Sequence, residues 1–339
     1  MLLTTPLAIK ALTLRNRLVL PPMATEKSVS EGEVSQALCD YYNEKTQGGY
    51  FGLVVTEHSY INKEGQASVG QVSLSKDEDV EGLRKLVEVI HSNGSKVMAQ
   101  INHAGGKSIC ALDGKTTAPA PTGMPYTTTR GEAIESHTMT QDEIDQVISD
   151  FVSAACRAKE AGYDGVEIHS AHGYLLNQFY SPLTNKRDDA YTGSTIEGRL
   201  RLHCQVVRAV RWAVGPDYVV ALRLGACDYR EGGSSVADAV AAAKILENAG
   251  VDLLDISGGL CGYRGDGSKV PGYFGEESKA IKQAVSVPVI LTGGVRDGAS
   301  LENLLEQDKA DLIGVGRAVL KDSQWAKKAF EELGIFWTA

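Results

Sequence analysis

Gly165-Val-Glu-Ile-His-Ser-Ala-His-Gly-Tyr174 is the stretch on which the fold and the chemistry of this chain turn. Its first half, with branched Val166 and Ile168, has the composition of a strand buried on both faces. Its second half delivers His169, His172 and Tyr174 within six residues. Polar heads crowded at the end of a buried strand are costly without partners or a task, and such crowding is typical of active sites. A hydrogen-bonded core histidine and a packing tyrosine are the alternative.

Similar short apolar runs lie on both sides. Toward the N-terminus they are Arg17–Pro21, Phe51–Thr56 and Lys96–Ile101. Toward the C-terminus they are Tyr218–Leu224, Val251–Ile256, Val287–Leu291 and Asp311–Val315. Helical patterns fill the gaps. Ser75 with Glu78 reads as a capping box ahead of Val80, Leu83, Leu86, Val87 and Ile90, stopped at Asn93-Gly94. Thr140 with Glu143 opens a second helix, ended by Gly162, and Ser235 with Asp238 opens a third, closed by Gly250. Leu200, His203, Val207 and Val210 mark another amphipathic face. Eight strand signals alternating with helices, without a linker, predict an α/β fold, a (β/α)8 TIM barrel spanning 1–339 as one domain. A doubly wound sheet is the fallback. Gly105–Met139 is too long for a βα turn and is expected to form an extended lid after the third strand.

The totals narrow the function classes. A net charge of −9 with no basic stripe disfavours nucleic-acid binding. No apolar run reaches membrane-spanning length, and no signal-peptide pattern opens the chain. Six scattered cysteines without a Cys-x-x-Cys motif argue against a zinc or iron–sulfur site and fit a reducing, cytoplasmic setting. The oligomeric state is left open, a homo-oligomer included.

In a barrel of this kind the active site is assembled from the loops after the strands. In order these carry Met23, Ala24 and Thr25; Glu57-His58; Gln100 and His103; His169, His172 and Tyr174; and Arg223. The last three carry Ser257-Gly258-Gly259, Thr292-Gly293-Gly294 and Gly316-Arg317. Glycine turns after strands seven and eight are where this fold seats a phosphate, and Arg317 adds a fork suited to one. A tight turn shaped by Gly293 and Gly294 is the alternative. A flavin mononucleotide would use the phosphate seat, Gln100 on its pyrimidine edge, and Arg223 against charge on the reduced ring. For Arg223 the alternative is an ion pair inside the barrel with Asp228 or Asp255.

The chain resembles the old yellow enzyme family of FMN-dependent reductases. Matching motifs are Arg15-Asn16-Arg17 leading to Pro22-Met23, Gln100-Ile-Asn-His103-Ala-Gly105 and Glu167-Ile-His169-Ser-Ala-His172-Gly-Tyr174. They continue with Asn185-Lys-Arg187-Asp-Asp189-Ala-Tyr191-Thr-Gly193-Ser194, Arg223-Leu-Gly-Ala-Cys-Asp228 and Gly314-Val-Gly316-Arg317. The resemblance implies FMN held by Pro22, Met23, Ala24, Gln100, Arg223, Gly293, Gly294, Gly316 and Arg317. NADH or NADPH would reduce it and leave, and an electron-poor alkene would follow in the same place. His169 and His172 would hold the carbonyl oxygen, Tyr174 would donate the proton, and Thr25 would line the substrate. Many relatives have Cys or Thr where Ala24 stands, and Arg where Gly106 stands. Larger relatives carry an iron–sulfur motif and a second nucleotide domain beyond the barrel, so a soluble reductant is expected here.

Other readings stay open. The same scaffold could serve an NAD(P)H:flavin or quinone-type reductase, or a dehydrogenase. A metal-dependent barrel hydrolase would use His169, His172 and Glu57 as ligands. A third possibility is a barrel that binds a phosphorylated metabolite without redox chemistry.

Overall fold

A computed structural model describes residues 1–264 and 270–338. Eight parallel strands close a barrel: β1 (Leu18–Leu20), β2 (Leu53–Tyr60), β3 (Lys96–Asn102), β4 (Gly165–Ser170), β5 (Val219–Gly225), β6 (Leu253–Ser257), β7 (Val289–Thr292) and β8 (Leu312–Gly314). Ile313 and Gly314 pair with Leu18 and Val19, so β8 closes on β1. The expected (β/α)8 barrel is therefore present, and the doubly wound alternative falls.

Period-2 alternation explains how these strands build a site. Met98, Val219, Ala221, Leu253, Ile290 and Leu312 belong to one apolar cluster that fills the lower barrel. Two or four residues further along the same strands stand Gln100, Arg223, Asp255 and Thr292. Each strand thus runs from an apolar lower layer into a polar upper one. The outward-facing residues pack on the helices in a second, larger cluster. A hairpin ahead of the barrel, Leu7–Ile9 with Leu12–Leu14, adds Ile9, Leu12 and Leu14 to the inner cluster. Sequence reading began at Arg17 and did not anticipate it.

The helices are α1 (Gln36–Thr46), α2 (Asp79–Ser92), α3 (Gln141–Glu160), α4 (Leu175–Tyr180), α5 (Ile196–Val214), α6 (Val236–Ala249), α7 (Gly275–Lys282), α8 (Gly298–Glu306), α9 (Arg317–Lys321) and α10 (Trp325–Glu332). Capping boxes close at Thr140–Glu143 and Ser235–Asp238, and Gly250 ends α6 in the left-handed region at φ 115°. The box expected at Ser75–Glu78 does not form. Instead Asp79 Oδ2 accepts from Ser73 Oγ and from the backbone N–H groups of Ser75 and Lys76. The segment enters α2 from a bridge between Tyr60 and Ser73, and the Asp79 carboxylate gathers the donors of the loop that precedes the helix.

The long insertion after β3 has strands of its own. Ala118–Ala120 runs parallel to Ser136–Thr138, and Tyr126–Thr127 pairs antiparallel with Ala133–Ile134. Ala111, Ala118, Ala120, Tyr126 and Ile134 make a small separate core beneath them. Arg130 Nη2 lies 2.7 Å from Glu26 Oε2, joining the hairpin turn to the loop after β1. Among the described residues no helix is long and apolar enough to cross a membrane.

Candidate active site

His169 and Arg223 are register partners on β4 and β5, and Arg223 and Asp255 are partners on β5 and β6. One β4 residue below His169 on the same face, Glu167 is paired in register with Gln100. These pairings dictate the bonding. Gln100 Nε2 donates to Glu167 Oε2 at 2.6 Å, and Arg223 Nε lies 3.1 Å from Asp255 Oδ2. Arg223 therefore takes the interior ion pair with Asp255 that sequence reading kept as its alternative; Asp228 instead accepts from Ser181 Oγ and the Ser234 N–H. Burial pushes the Glu167 and Asp255 carboxyls upward. Glu167 Oε1 has no protein partner.

The chain leaves β4 through a left-handed turn with His172 at φ 61° and Gly173 at φ 73°. That conformation is uncommon for a histidine and marks a position held by its surroundings. Lys107 Nζ donates to the His172 carbonyl at 2.8 Å, and the His172 N–H donates to Gly258 O. The turn stacks three rings: His169 lies 5.1 Å from His172 and 5.2 Å from Tyr174, both edge-on. His172 Nε2 is 2.8 Å from Ser257 Oγ, while His169 Nδ1 is buried without a partner. Burial, reinforced by Arg223, holds both histidines neutral, far below the usual imidazole range. Burial alone pushes the Tyr174 phenol upward, so it stays protonated.

Glu57 and His58, expected just beyond the second strand, lie inside it. β2 runs on to Tyr60, and its register against β3 shifts between Thr56 and Ser59. This bulge brings the His58 ring to 5.4 Å from Tyr174 and 6.2 Å from His169. Glu57 turns to Thr25, accepting from its hydroxyl at 2.7 Å and its N–H at 3.2 Å. The Thr25 hydroxyl is thus held by a carboxylate, and Ala24 is exposed beside it. Among the described residues no three His, Cys, Asp or Glu side chains converge as a ligand set, so His169, His172 and Glu57 do not form the cluster that the hydrolase reading needs.

Across the same rim, just after β7, Gly293 and Gly294 take φ of 156° and 74°. A Cβ on either would strike the Tyr273 ring, at 2.8 and 2.9 Å. Arg317 Nη2 donates to the Tyr273 hydroxyl at 3.0 Å. On Gly316 a Cβ would meet Met23 Sδ at 2.6 Å, so the loops after β8 and β1 touch. Pro22 and Met23 are half-buried there. Glycine backbone, the Arg317 guanidinium and the Gln100–Arg223 layer therefore ring one end of the barrel. This donor set, with unpartnered buried atoms at Glu167 and His169, fits a phosphate-bearing planar cofactor. Sequence reading missed Lys107 and Gln71, whose contacts come from other segments.

A family model described as the NADH:flavin oxidoreductase / NADH oxidase family matches residues 2–334. The chain belongs to that family. It is 35% identical over 334 residues to an NADPH dehydrogenase of Bacillus subtilis, covering 98% of this chain and 95% of that protein. It is 38% identical over 332 residues to an NADH oxidase of Thermoanaerobacter brockii, covering 94% of this chain but 49% of that protein, so it spans about half of that relative's length. An old yellow enzyme homologue from Zymomonas mobilis has the same fold, with a TM-score of 0.84 and 24% identity over 99% of this chain and 94% of the other. FMN as cofactor and a nicotinamide as reductant, expected from the motifs, agree with family membership.

Proposed function

We propose that this protein reduces the C=C bond of small α,β-unsaturated carbonyl compounds, drawing electrons from NADH or NADPH. The observation that carries the proposal is the cluster of two neutral histidines and a protonated tyrosine at one strand end, beside a polar layer suited to FMN. Pro22, Met23, Ala24, Gln100 and Arg223 would face the ring system, and Gly293, Gly294, Gly316 and Arg317 the phosphate. Bound FMN supplies the hydride that the alkene β-carbon receives.

His169 and His172 are neutral, so each donates an N–H to the substrate oxygen without placing a full charge beside Arg223. That oxygen gains negative charge as the β-carbon is reduced, so these donors bind it more tightly in the transition state than in the ground state. Tyr174 stands beside them with its proton retained by burial and delivers it to the α-carbon. Lys107 fixes the His172 carbonyl and with it the strained turn. Thr25, tied to Glu57, shapes the substrate side. The setting proposed is cytoplasmic, with 1–339 acting as one FMN-binding unit.

Replacing both His169 and His172 with Ala is expected to abolish enone binding, read as an absorbance perturbation of the bound flavin, while leaving FMN in place. Tyr174→Phe is expected to slow the alkene half-reaction on the order of 10²-fold and to leave flavin reduction by NADPH within twofold. Equal loss of FMN and of enone binding in the double variant, or equal slowing of both half-reactions in the tyrosine variant, would overturn the assignment.

A further inference from the structure

We propose that Tyr273 is a positioning residue for the cofactor phosphate: its hydroxyl holds the Arg317 guanidinium beside the Gly293-Gly294 turn, so that the chain prefers a phosphorylated flavin to an unphosphorylated one. The inference rests on the phosphate seat proposed for this rim and adds the residue that fixes its charged arm. It begins with Arg317 itself, an exposed side chain at the first position of α9. A free guanidinium on a long stem gives up its rotamer freedom when an anion binds, and a fork held in place beforehand gives up less.

The tyrosine is fixed before the arginine is. Its ring lies against the glycine turn: a Cβ on Gly293 would stand 2.8 Å from Tyr273 Cε2, and one on Gly294 would stand 2.9 Å from Cδ1. The Gly272 N–H donates to the Gly293 carbonyl at 2.7 Å, which ties the segment carrying the ring to the same turn. The Phe274 ring closes on Tyr273 edge-on, with centroids 4.8 Å apart. A side chain at 293 or 294 would displace the ring, and the hydroxyl with it.

Both roles of the hydroxyl are assigned. It donates to the Tyr263 carbonyl at 2.5 Å, which commits its one proton, and it accepts from Arg317 Nη2 at 3.0 Å. Burial pushes the phenol above its ordinary range, against the pull of Arg317, Arg223 and Arg264, so it stays neutral at physiological pH. The same three guanidinium groups make this corner of the rim favourable to a phosphate dianion. A planar fork anchored through one of its five N–H donors has its plane set, and a bidentate pair with phosphate oxygens depends on that plane. A flavin without phosphate offers the arginine nothing, so loss of the tyrosine hydroxyl leaves its binding as it was.

The full chain, stripped of flavin and titrated with FMN and with riboflavin, tests this through quenching of flavin fluorescence. The native protein is expected to bind FMN at least tenfold more tightly than riboflavin. Tyr273→Phe keeps the ring on the glycine turn and removes only the hydroxyl. It should cut the preference at least threefold, by weakening FMN while riboflavin stays within twofold. In an Arg317→Met background the same change should cause no further loss, because the tyrosine acts through the arginine. An unchanged preference in Tyr273→Phe, equal weakening of both flavins, tighter FMN on release of the arginine, or an undiminished effect in the Arg317→Met background would overturn the proposal. A native protein that binds both flavins equally would sink the phosphate seat itself, and the proposal with it.

Discussion

Glu57 shows how burial and a hydrogen-bonded neighbour contend for one carboxyl. Burial raises it to about 7, against the bonds from Thr25 that favour the ionised form. A carboxyl raised in the folded state stabilises that state fully below its ordinary value near 4.5, and the contribution is lost as pH rises through about 7. The span corresponds to on the order of 3 kcal/mol. Thermal melts from pH 4.5 to 8 should therefore show the native protein losing stability relative to Glu57→Gln as pH rises, and parallel curves would contradict the shift. The imidazoles act in the opposite sense. His58 and His103, held near 4 and 3 by burial, withdraw stability as pH falls below about 6.5, and this dependence is common to both proteins. The three polar heads of the opening motif were legible from residue type and spacing. Their protonation was not, because it depends on Arg223 and on walls from other strands.

At the scale of elements, short segments with local signatures were readable and those governed by a neighbour were not. The Thr140 and Ser235 capping boxes formed because each bond lies within one turn of chain. The Ser75 box failed because a bridge from Tyr60 to Ser73 sets the entry to α2. The β2 bulge left no mark in its composition, since a one-residue shift is defined only against β3. The glycine turn after β7 was recognised, but not the Tyr273 ring that lies on it and bonds Arg317. Replacing Arg317 with Met removes the charged fork at this turn and is expected to weaken FMN at least tenfold, measured by quenching of flavin fluorescence. An unchanged dissociation constant would show that the glycine backbone suffices.

For the whole molecule, the barrel carries its polar layer on top of an apolar one, and burial in the upper layer raises the Glu167 and Asp255 carboxyls. A ligand that bonds these groups stabilises only the folded state. Saturating FMN at about 100 times its dissociation constant should add about 2.7 kcal/mol, seen as a rise in melting temperature that grows with the logarithm of FMN concentration. A melting temperature indifferent to FMN would contradict the seat assigned to Gly293, Gly294, Gly316 and Arg317.

What this chain's sequence determines by itself is the alternation of buried strands with capped helices, and hence the barrel and the face on which its chemistry gathers. That information is local: period-2 and period-3.6 patterns, turn glycines, and polar residues at strand ends. Only the tertiary structure decides the rest: that Arg223 pairs with Asp255, that Thr25 answers to Glu57, and that His58 joins His169 and Tyr174. Each of these contacts links strands or loops far apart in the chain, through a register and a bulge that exist only once the barrel has closed.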